Sequence, residues 1–125
     1  MPDPVPPSPA RLERERRLAR TPGQLAGEFA AVYGHQFDQV TYLPGMALIG
    51  RMRMGATSDV DRLAAPYLDQ RPAIRSSLTI AGHMVFAELA ERTGNERYLA
   101  LARAAADLAF DESGQMLEAI RCTAR

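Results

Sequence analysis

Two apolar stripes with helical spacing flank the turn Thr93-Gly94-Asn95, and that pairing restricts the fold more than any other feature of the chain. Upstream, Gly82, Val85, Phe86 and Leu89 share one face, with Met84 beside them. Downstream, Tyr98, Leu101, Ala102, Ala105, Leu108 and Ala109 do the same. Residues three and four apart lie on one side of a helix, so each stripe needs another surface to bury against. Glycine enters the left-handed region that ends a helix at no steric cost, and asparagine caps the helix that follows. The motif therefore predicts a helix, a reversal at Gly94 and a second helix running back.

The same logic extends toward the N-terminus. Thr21-Pro22-Gly23 is a helix start, a hydroxyl residue followed by proline at the first helical position. Leu25, Phe29 and Val32 then predict a helix over residues 24–33, broken by Gly34-His35-Gln36. Over residues 42–54 only Arg51 and Arg53 interrupt Leu43, Met46, Ala47, Leu48, Ile49, Met52 and Met54, which predicts a helix buried on most sides and ended at Gly55. Ser58 with Asp61 forms a capping-box pattern, and Val60, Leu63, Ala64, Tyr67 and Leu68 make an amphipathic stripe kinked at Pro66 and closed by Arg71-Pro72. Asp111-Glu112-Ser113-Gly114 reads as a turn, and residues 116–125 favour no state.

Thr57-Ser58-Asp59-Val60-Asp61-Arg62-Leu63-Ala64 lines up with Thr93-Gly94-Asn95-Glu96-Arg97-Tyr98-Leu99-Ala100, 36 residues on. That spacing belongs to arrays of helical hairpins. The expected organisation is a Pro-rich, poorly ordered leader at 1–9, a charged helix at 10–20 and a helical-hairpin domain at 21–125.

Composition narrows the function classes. The 125 residues carry fifteen basic and fifteen acidic side chains, so net charge favours neither nucleic acid nor an anionic membrane. Every basic residue is Arg, as the coding bias of a GC-rich bacterial genome gives. Cys122 is the only cysteine, which rules out an internal disulfide and a multi-Cys zinc site. No apolar run reaches membrane-spanning length, and the N-terminus has no secretory pattern, so the expected location is the cytoplasm. No glycine cluster matches a phosphate-binding motif, His35 and His83 form no metal-binding pair, and no cofactor is expected.

The stretch Gly82-His83-Met84-Val85-Phe86-Ala87-Glu88-Leu89-Ala90-Glu91-Arg92-Thr93-Gly94-Asn95-Glu96-Arg97-Tyr98-Leu99 resembles a hairpin of the (α/α)6-toroid glycosidases. Within that class it is most similar to the unsaturated glucuronyl and rhamnogalacturonyl hydrolases of glycoside hydrolase families 88 and 105. Tyr42-Leu43-Pro44-Gly45-Met46-Ala47-Leu48-Ile49-Gly50 is similar to the preceding inner helix of those proteins, and the match spans residues 37–110. The resemblance implies an all-α fold of antiparallel helical hairpins, a partial (α/α) toroid, and an unsaturated uronic-acid oligosaccharide as ligand.

The resemblance also implies carboxylates that are not found. Ser76, Ser77 and Thr79 stand where such enzymes place an Asp, and the general acid would belong to an inner helix beyond Arg125. Six hairpins at this spacing need roughly 216 residues. The expectation is a truncated or remnant glycuronidase-like domain, inactive alone, with no catalytic residue of its own.

The residues left as substrate contacts are Tyr42, which could stack on a sugar ring, His83, at the start of an inner helix, and Arg75, whose planar fork suits a uronate carboxylate. Arg71 shares that role with Arg75, and as candidate acids Asp69 and Asp38 read better as a solvated helix end and a helix cap. The alternative function is a helical-hairpin interaction module that binds a partner through its apolar helices, and exposed apolar helices would also promote self-association.

Overall fold

The computed structural model describes residues 1 and 4–120, with the side chain of Ala119 left aside. The chain is all-α: the described residues contain seven α-helices and two short 3-10 turns, and no strand beyond one isolated bridge between Phe110 and Met116. The helices are α1 (Pro9–Leu18), α2 (Pro22–Val32), α3 (Tyr42–Arg53), α4 (Thr57–Ala64), α5 (Ser77–Gly82), α6 (Met84–Thr93) and α7 (Glu96–Asp107).

Local chemistry sets the ends of most helices. Ser8 accepts from the Arg11 N–H at the start of α1, and Thr21 and Gln24 cap each other reciprocally at the start of α2. Gly94 ends α6 at φ 72°, and the Asn95 side chain accepts from the Arg97 N–H to open α7. Asp111 Oδ1 gathers the Ser113 and Gln115 N–H groups and the Ser113 hydroxyl, which builds the turn after α7.

Three details depart from the sequence pattern. Helix α4 starts at Thr57 with Ala56 at its cap, so Ser58 does no capping. The Ala56 N–H is already tied to the Arg51 carbonyl, and Gly55 at φ 96° turns the chain before Ser58 is reached. Pro66 converts the end of α4 into a 3-10 turn, Ala65–Asp69, rather than kinking one helix. The stripe that opens with Gly82 is split at His83, where the Thr79 carbonyl accepts from both the His83 N–H and the ring Nδ1.

The core lies among α3, α4, α6 and α7. Buried Gly45, Leu48, Ile49 and Met52 of α3 correspond one for one to Gly82, Val85, Phe86 and Leu89, the last three in α6. The Thr57/Thr93 matching is not kept in the structure, because Thr57 opens α4 whereas Thr93 closes α6. Helix α3 is two-sided. Its core face is closed, while Leu43, Met46 and Met54 remain exposed toward α2.

Arg51 is the buried exception on α3. Its guanidinium donates to the Gly34 carbonyl at 2.7 Å and pairs with Asp59 at 2.6 Å, which ties the end of α2 and the start of α4 to α3. Asp59 is also held by Arg62, and these two partners, Arg62 foremost, keep its carboxyl below the usual range.

Candidate functional site

A cavity of about 360 Å³ opens where the segment before α3, the end of the Ala65–Asp69 turn and the α5/α6 junction meet. That volume falls within the range of small-molecule pockets. Tyr67 and Phe86 form its floor, with Phe37 and Tyr98 packed behind them. Phe37 lies 4.9 Å from Tyr67 and 6.1 Å from Phe86, and Phe86 stacks on Tyr98 at 6.1 Å between ring centres. Burial closes three of these rings to solvent, and the Tyr67 hydroxyl donates to the Phe37 carbonyl, so the floor is packed and its polar edge satisfied. Burial, with Asp38 nearby, raises the Tyr67 phenol above its ordinary value.

His83 stands at the edge of this floor. It is 5% exposed and meets Phe86 edge-on at 5.5 Å. Burial pushes its pKa down, partly opposed by the bond to Thr79, so the ring is neutral at pH 7. With Nδ1 donating to the Thr79 carbonyl, Nε2 carries the lone pair. No described residue hydrogen-bonds Nε2.

Arg71 and Arg75 supply the positive charge. The Arg75 backbone is fixed by its N–H bond to Thr79 Oγ1 at 2.9 Å; the same hydroxyl accepts from the Ser76 N–H and donates to the Ser76 carbonyl. Thr79 thus shapes the loop that presents Arg75. Among the described residues most arginines are ion-paired, and those without a carboxylate partner are Arg14, Arg71, Arg75 and Arg103. Two of these four line one cavity. Asp38, which is exposed, is the one described carboxylate that lines it with them.

The structure therefore brings His83 and Arg75 together, joined by Arg71 and Asp38. Tyr42 is exposed and does not line the cavity; its neighbour Thr41 does. Asp69 pairs with Arg97 at 2.7 Å away from the cavity. Sequence reasoning missed the aromatic floor and Gln70. Tyr67 and Phe86 come from separate segments, and their only signal was that each aromatic sat in an apolar stripe. No group of three His, Cys, Asp or Glu side chains among the described residues is placed to hold a metal, and no described helix is long and apolar enough to cross a membrane. Cys122 lies outside the described residues.

Compared with models of protein families, with curated proteins and with solved structures, the chain matches none.

Proposed function

We propose that this chain is a helical-hairpin protein whose cavity binds an anionic sugar of the uronate class. The observation that carries the reading is the convergence of two unpaired arginines and a neutral, hydrogen-bonded histidine over an aromatic floor. A guanidinium fork matches a carboxylate in plane and charge. The half-buried Tyr67 offers an aromatic edge to the apolar side of a sugar ring, and His83 Nε2 can accept from a sugar hydroxyl. The likeness to unsaturated glucuronyl hydrolases supports the same ligand class. So does the matched register of α3 with α6, which fits two copies of one hairpin unit in a toroid-like array.

The reading is binding and not turnover by this chain alone. Protonating the double bond of an unsaturated uronate needs a carboxyl kept acidic in a dry site. Asp38 is exposed, and Thr79 stands on α5 where a carboxylate would belong.

The test is a backbone-amide NMR titration of the chain with an unsaturated glucuronyl disaccharide and with a neutral disaccharide of the same size. The expected result is saturable shifts in residues 70–83 with the anionic sugar, weakened about tenfold or more by Arg75→Ala and little response to the neutral sugar. Equal shifts with both sugars, or none at millimolar concentration, would overturn the assignment.

A further inference from the structure

Helix α2 rests on α3 through half-buried Ala26 and Ala30, and the rest of its apolar face is uncovered. Leu25, Phe29, Val32 and Tyr33 are 40–69% exposed, and no residue of the helix is buried. An eleven-residue helix is marginal in water on its own propensity, and helices of this length are held by packing of an apolar face. Beside α2 runs an apolar groove of about 780 Å³, walled by Phe29 and Tyr33 on one side and by Leu43 and Met46 of α3, with Met54 just past its end, on the other. Leu25 and Val32 lie outside the groove as a neighbouring ridge.

We propose that this face is a two-fold interface with a second copy of the same chain, the Leu25/Val32 ridge of each copy seated in the groove of the other. Ridge and groove side by side on one face are what a self-complementary isologous contact requires. The exposed parts of the seven side chains named amount to roughly 700 Å², close to the ~800 Å² per partner of a standard interface. With a formal net charge of zero, two copies approach without mutual repulsion. The closed form also covers the apolar face of α2 that α3 leaves open.

Sedimentation equilibrium of the full chain, from low to high micromolar, tests the proposal. The wild type should be a reversible dimer. Val32→Glu should raise the dissociation constant about tenfold or more with an unchanged circular dichroism spectrum, since Val32 is 69% exposed. Leu78→Glu, an exposed apolar position on α5 outside the groove, should leave the dimer intact. A wild type that stays monomeric throughout would overturn the proposal and leave the face to a different protein. Equal weakening by the two variants would overturn it too, by showing non-specific adhesion, and so would open-ended assembly beyond a dimer.

Discussion

Gly45 and Gly82 meet backbone to backbone: a Cβ built on Gly45 would stand 2.8 Å from the Gly82 carbonyl oxygen. Gly82 is tighter still, since its own Cβ would lie 2.6 Å from three backbone atoms of Thr41. This contact seats α5 on α3 and sets where Thr41 and Thr79 border the cavity.

Gly82→Ala should therefore destabilise the chain by roughly 2–4 kcal/mol, because the backbone of Thr41 has no flexible end to give way. Gly50→Ala is the contrasting case. It sits within α3 with open space at its Cβ position, so alanine should stabilise by about 0.5–1 kcal/mol. Urea unfolding of the two variants checks both signs. Similar gains in both would show that helix propensity, and not the close approach, decides.

Local chemistry was legible in the sequence and long-range placement was not. Gly94 with Asn95, and Thr21 with Gln24, act within a few residues, so their roles can be read from the letters alone. Ser58 looked equally like a cap, but the hydrogen bond from Ala56 to Arg51 ends the turn earlier. His83 and Arg75 could be singled out as polar residues able to touch a sugar. Their common cavity depends on the close approach of α5 to α3 and on Phe37, Tyr67 and Phe86 packing across three segments. Tyr42 shows the limit, because one step along the chain separates Thr41 at the cavity from an exposed ring. Arg51 had been read as an interruption of an apolar helix; its burial follows from two partners, Gly34 and Asp59, that the linear pattern does not connect.

Tyr98 gives a prediction at high pH. Its hydroxyl donates to Asp61 Oδ1 at 2.5 Å, and burial first, with that bond second, raises the phenol well above its ordinary value. The folded chain keeps the proton while the unfolded chain loses it near pH 10. The contribution is therefore complete below pH 10 and declines as pH rises past it. Tyr98→Phe should cost about 1–2 kcal/mol at pH 7, by loss of the hydrogen bond. It should also flatten the fall in stability between neutral pH and pH 10.5, leaving a smaller slope from Tyr67, whose phenol is raised as well. Urea midpoints at the two pH values decide the matter; a slope identical to wild type would sink the argument.

His83 gives the complementary prediction on the acid side. Burial lowers its pKa in the folded chain, so on acidification the unfolded chain takes up a proton near pH 6.5 before the folded one does. Stability should fall as pH drops from 7.5 to 5.5, the direction expected of a base that is buried neutral. The carboxylates held low by their partners, Glu13, Asp59, Glu88 and Asp111, lose their contributions only further down, as pH falls through their folded values. The window above pH 5.5 therefore isolates the imidazole from them. His83→Asn can keep the donor to the Thr79 carbonyl without a group that titrates, and should remove most of the slope in this window while preserving the fold. A sugar hydroxyl donating to His83 Nε2 favours the neutral ring, so affinity for the anionic sugar should fall from pH 8 to pH 6 in the wild type and stay level in His83→Asn. Thermal midpoints across the pH range and titrations at the two end points measure both effects. A wild-type slope retained in the variant would show that the acid sensitivity comes from elsewhere in the chain.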